Sequence, residues 1–216
     1  MALIPSLPLF PLEVVLFPEE VLPLHIFEPR YRELVHTCLA QDRPFGIVLF
    51  TGGEIADVGC MARIRRVLHR YEDGRMDIQV EGFRRFRIRR LMHEHAYLTA
   101  EVETLDEPEA EVDNDLRERL ITQHLKLLEL AGRTVRPTIY QDVNRVSYFI
   151  AHNAGLSLGQ QLEVLKLPTE NERIAYLVEH LGGLLPRIEQ VEEVRRKIRS
   201  NGHLRDFPPD AGEAER

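Results

Sequence analysis

Leu7-Pro-Leu-Phe-Pro-Leu12, followed by Val15-Leu-Phe-Pro18 and Leu22-Pro-Leu-His-Ile-Phe-Glu-Pro-Arg-Tyr31, gives the chain an apolar but constantly interrupted opening. Prolines stand at 5, 8, 11, 18, 23 and 29, and Glu13, Glu19 and Glu20 break the run again. A membrane-spanning helix needs about 20 uninterrupted apolar residues. A secretory signal needs a basic start, which is missing here. The segment therefore reads as short buried strands. Proline has no N–H to give a strand ladder, so Pro8, Pro11, Pro18 and Pro23 are expected at strand ends, turns or sheet edges.

Strand patterns continue beyond this opening. Leu7–Phe10, Val21–Phe27 and Phe45–Phe50 are apolar runs bounded by Pro, Gly or charge. One helix is predicted between them, from about Pro29 to Gln41, because Tyr31, Leu34, Val35, Cys38 and Leu39 share a helical face. Cys60–Tyr71 and Met76–Leu91 flank Asp73-Gly74, the signature of a two-residue hairpin turn. Along the second arm Met76, Ile78, Val80, Phe86 and Ile88 alternate with Asp77, Gln79, Glu81, Arg85, Arg87 and Arg89. That alternation puts one face in a core and the other in water. Gly82 interrupts the arm and predicts a bulge or a close backbone approach. Tyr97–Leu105 is the last predicted strand.

The pattern changes at Asp106-Glu-Pro-Glu109, which is taken as the boundary between two parts. Residues 1–107 are expected to be mostly β with one inserted helix, and 108–200 helical. A flexible polar tail is expected over 201–216. Leu116, Leu120, Ile121, Leu125, Leu127 and Leu128 mark one helix, and Val143, Val146, Ile150 and Ala154 another. Ser157-Leu-Gly-Gln160 and Thr169-Glu-Asn-Glu172 have the form of capping boxes. The longest apolar stripe runs from Ile174 to Ile198, but Gly182-Gly183 and Pro186 lie inside it and predict a kink or break.

Composition narrows the function. Hydrophobic residues are 44% and charged residues 29% of the 216, an ordinary globular balance that gives a core without a membrane span. The net charge of −7 argues against nucleic acid or an anionic membrane as partner. Cys38 and Cys60 form no CxxC pair, which suits a reduced, cytoplasmic protein. No phosphate-binding loop or nucleophile elbow is present, and the three lysines, Lys126, Lys166 and Lys197, fall in predicted helices. His93-Glu-His95 has too few ligands for zinc and reads as a solvated strand end. The chain is therefore expected not to be an enzyme, with no catalytic residue, no cofactor and no metal. An arginine group on the hairpin, with Arg85, Arg87 and Arg89 as candidates, reads either as a basic surface or as a solvated face paired with acids.

The opening motif through Tyr31, then Val58-Gly-Cys-Met-Ala-Arg-Ile64, Asp73-Gly74, Val80-Glu-Gly-Phe-Arg-Arg-Phe86, Leu162-Glu-Val-Leu165 and Glu172-Arg173 resemble the Lon N-terminal substrate-recognition domain, over about residues 5–199. The His-Ile-Phe-Glu-Pro-Arg-Tyr version resembles stand-alone members that lack the ATPase and Ser–Lys protease modules. The resemblance implies an α+β fold: a PUA-like, six-stranded β-barrel-like part followed by a helical bundle. It also implies binding of unfolded polypeptide or a protein partner, in the service of a protease acting in trans. His25, Phe27, Arg30 and Tyr31, at the strand-to-helix junction, are the candidate contact residues. The alternative is an RNA-binding module using the arginine-rich face, an analogy made from the fold. The oligomeric state is left open.

Overall fold

The computed structural model describes residues 2–108, 110–141 and 143–201. The expected tail at 201–216 lies, beyond Asn201, outside the described residues. Six strands come first, with one helix among them: β1 (Leu3–Leu12), β2 (Val21–Ile26), α1 (Pro29–Gln41), β3 (Phe45–Thr51), β4 (Glu54–Arg70), β5 (Met76–Met92) and β6 (Thr99–Leu105). The helical half follows as α2 (Asn114–Leu130), a 3-10 turn (Pro137–Tyr140), α3 (Val146–Ala151), α4 (Leu158–Lys166) and α5 (Glu170–Asn201). The α+β division read from periodicity holds.

The strands are ordered β2-β5-β4-β3-β1-β6, and β6 also pairs with β5. Pairing thus closes a ring of five strands, and β2 hangs on β5 outside it. All neighbours are antiparallel except β1 and β3. Pro8 departs from its expected place, since it lies within β1. The strand changes partner there: Leu3–Pro8 pair with β6 and Leu9–Leu12 with β3. Pro8 is thus spared donating on both sides. Pro23 sits on β2, an edge strand, as its missing N–H requires.

The β4–β5 hairpin is longer at its tip than a two-residue turn. Arg70 and Met76 are the last paired residues, Gly74 N–H donates to Tyr71 O and Tyr71 N–H to Arg75 O. Gly74 has φ +85°, so this is a three-residue loop with glycine in the left-handed position. At Gly82 both expectations hold. The register slips between Ala62↔Gly82 and Met61↔Arg84, and an added Cβ would stand 2.3 Å from Phe17 O.

Two buried clusters fill the sheet. In one, Tyr31, Leu34, Val35 and Cys38 of α1 pack on Ile26, Ile78 and Val80; in the other, Leu7, Leu9, Phe86 and Val102 meet. The third joins the two halves: Val15, Phe17, Leu49 and Val58 pack with Tyr148, Ile150, Val164, Ile174 and Leu177. Both predicted capping boxes are made. Ser157 and Gln160 bond reciprocally, as do Thr169 and Glu172. The expected break in the last helix does not occur, and α5 runs unbroken through Pro186. The proline ring crowds the carbonyl four residues back, and that residue is Gly182, whose backbone is free to yield.

Candidate functional site

The junction of β2 and α1 opens a cleft of about 610 Å³. Pro29 stands at the first position of α1, where its fixed φ favours the helix and its missing N–H costs nothing. The abrupt turn from strand to helix leaves Phe27 and Glu28 between the two elements. His25, Phe27, Arg30 and Tyr31 all line this cleft. His93, His95, Ala96, Tyr97 and Leu98, between β5 and β6, also line it, as does Phe50 of β3. The sequence does not single out Phe50, and the solvated strand end is the better reading it offers for His93 and His95. Phe50 is the last apolar residue of β3, two positions before Gly52-Gly53, and that was the signal available for it.

The four candidates differ in what they offer. Tyr31 is 8% exposed, its ring 4.1 Å from Phe10, and it belongs to the core. Burial raises its phenol above the usual range. Phe27 is 58% exposed and stacks on His25 at 5.9 Å. Arg30 forms an ion pair with Glu28 at 2.8 Å and lies over the Tyr31 ring. His25 Nδ1 is 2.5 Å from Asp77 Oδ1, and Tyr71 Oη donates to the other carboxylate oxygen at 2.8 Å. The His25 bond, and then that of Tyr71, hold the Asp77 carboxyl below its usual range.

Of the two readings of the arginine group, the ion pairs fit the face paired with acids, with Arg85 as the exception. Arg85 is 3% exposed and donates to the carbonyls of Leu165, Leu167 and Pro168, at the end of α4. The helical half covers this part of β5, so the side chain that alternation aimed at water is buried. A cation there faces the negative end of a helix. Arg87 lies 3.9 Å from Asp57, Arg89 is bonded to Glu103, and Arg90 lies 3.7 Å from Glu101. Arg87, Arg89 and Arg90 thus each lie beside an acid.

Among the described residues, no three His, Cys, Asp or Glu side chains are grouped to hold a metal ion, and no helix is long and apolar enough to cross a membrane.

This geometry has known counterparts. A Lon N-terminal domain protein from Xanthomonas campestris superposes with a TM-score of 0.66 at 28% identity, over 82% of this chain and 98% of that one. The N-terminal domain of Mycobacterium avium complex Lon protease, at 21% identity and TM-score 0.58, shares the fold. In sequence, Lon protease of Trichlorobacter lovleyi is 30% identical over 90% of this chain and 25% of its own length. Lon protease of Flavobacterium johnsoniae is 25% identical over 90% and 26%. The chain spans about a quarter of the length of these curated relatives. The family of the ATP-dependent protease La (LON) substrate-binding domain matches residues 6–182, and the chain belongs to that family.

Proposed function

We propose that this chain is a polypeptide-recognition module, without catalysis of its own, that takes up unfolded segments for degradation by a protease. The observation that carries this reading is Phe27, a large apolar side chain that lines the cleft and is more than half exposed. Isolated exposed apolar residues are common, but here Phe50, 43% exposed, lines the same cleft. The outer edge of β2 adds a second means of binding. Among the described residues β2 pairs only with β5, so an extended chain has strand backbone beside the cleft to join. Strand addition supplies sequence-independent bonds, and the cleft supplies selectivity for side chains. His25 and Arg30 complete the contact set, with Tyr31 lining the cleft from the core. The two cysteines are free and buried, in keeping with a reducing, cytoplasmic setting.

Amide hydrogen exchange tests the reading. Saturating amounts of a reduced, alkylated and permanently unfolded protein are expected to slow exchange over residues 20–35. Phe27→Ser is expected to weaken binding about tenfold, the loss of one aromatic anchor, with the melting temperature held. Unchanged exchange over that segment at saturation would sink the proposal.

A further inference from the structure

The polar side chains that line the cleft are mostly hydrogen-bond donors. Its lining contains His25, His93, His95 and Arg30, but Glu28 is its single carboxylate. Glu28 is already bonded to Arg30, at 2.9 Å from Nε and 2.8 Å from Nη2. His93 and His95 are exposed, and His95 stacks on Tyr97 with ring centroids 5.1 Å apart. Apolar contact is offered between these donors by Phe27 and Phe50. This stands against the chain as a whole, whose net charge is −7. A generally acidic protein has here gathered donors, and one neutralised acid, around an apolar opening.

We propose that the cleft selects extended segments in which an apolar or aromatic anchor is flanked by aspartate or glutamate. This rests on the polypeptide-binding reading and adds the substrate's chemistry to it. The anchor sits against Phe27 and Phe50, while the flanking carboxylates accept from the imidazoles of His93 and His95 and from the guanidinium of Arg30. Hydrogen bonds to a charged acceptor are stronger than neutral ones, and partial shelter in a cleft reduces screening by solvent. Lysine-flanked segments offer these donors no acceptor and are disfavoured.

Asp77 on β5 faces His25, Glu28 faces Arg30, Tyr97 faces His95, and Glu94 lies between His93 and His95 in sequence.

The test uses three dye-labelled peptides of about 12 residues that share one Phe-Leu anchor, flanked by Glu, by Gln or by Lys. Binding is followed by fluorescence anisotropy. At pH 6 and low salt the Glu peptide is expected to bind about fivefold more tightly than the Gln peptide, and the Lys peptide more weakly than either. The Glu advantage is expected to shrink in about 0.5 M salt. In the His93→Gln/His95→Gln variant the Glu-to-Gln ratio is expected to fall to about two or less, with Gln-peptide affinity unchanged. Arg30→Gln gives an independent reduction should that loop be disturbed. Equal affinity for the three peptides overturns the charge preference and leaves polypeptide binding standing. No binding by any of them overturns both.

Discussion

His124 on α2 is buried, with Nδ1 2.7 Å from the Tyr140 hydroxyl and its Nε2 without a partner among the described residues. Burial, with a smaller contribution from Arg133, pushes this imidazole down from 6.5 to about 4. The neutral form is therefore favoured in the fold. As pH falls below 6.5 the unfolded chain takes up a proton here, and the folded chain resists until about pH 4. Stability is lost across that window, by on the order of 3 kcal/mol from this group. His124→Gln keeps a bond to Tyr140 and removes the titration. Urea unfolding should show the variant losing about 3 kcal/mol less than the parent between pH 7 and pH 4; parallel losses would refute the assignment. None of this was legible in the sequence, where His124 sits in a helical pattern with no sign of its partner. Arg85 fails to read for a related reason. Alternation along β5 assigns its side chain to a face, but not whether residues 80 positions later cover that face. His25, Phe27, Arg30 and Tyr31 read better, because strand and helix signals meet at Pro29 and fix the junction locally.

Local signals explain why the elements were legible. The bounds of α1 come out as Pro29–Gln41 because proline starts the helix and one apolar face continues for its full length. The Gly82 bulge and both capping boxes depend on neighbours within a few residues or on the adjacent strand. α5 differs: Gly182, Gly183 and Pro186 are poor helix formers, and sequence alone predicts an interruption. Packing overrides them, since Ile174, Leu177 and Leu181 are fully buried ahead of them, and Leu184, Leu185 and Ile188 pack on the same cluster. The propensity cost is then paid for by burial and remains recoverable. An added Cβ at Gly183 meets nothing within 4 Å, and the position is exposed. Gly183→Ala is therefore expected to stabilise the chain by about 0.5–1 kcal/mol, read from the urea midpoint at constant slope. A destabilised variant would mean that α5 needs glycine there for its backbone.

At the level of the whole chain, the change of periodicity at Asp106–Glu109 marks where strands give way to helices, but we propose that residues 1–107 and 108–200 fold as one cooperative unit. The buried cluster that joins them takes Val15, Phe17, Leu49 and Val58 from the first part, all 4% exposed or less. Phe17 stacks on Tyr148 at 5.5 Å, and the opposite partner of Tyr148 is the Arg173 guanidinium, 4.2 Å from the ring centre. Arg173 is itself fully buried, bonded to Glu107 at the boundary and to Glu170 and Ser147 in the helices. Arg85 reaches the other way, into the α4–α5 connection. Burying four large apolar side chains is worth roughly 6–12 kcal/mol, comparable to the whole stability of a domain. A chain ending at 107 forfeits that and leaves the Arg85 charge without its carbonyl acceptors. It is expected to lack a cooperative melt, to bind a hydrophobic dye and to lose dispersed amide resonances. Residues 1–201 should unfold in one transition, coincident by far-ultraviolet circular dichroism and tyrosine fluorescence, since no tryptophan is present. Arg85→Met in the intact chain isolates the polar contribution: the carbonyls of Leu165, Leu167 and Pro168 lose the Arg85 donor, Arg173 still donates to the last two, and the single transition should move to lower urea without splitting. Two separated transitions, in either protein, would show that the strand and helix halves are independent and that the shared cluster does not couple them.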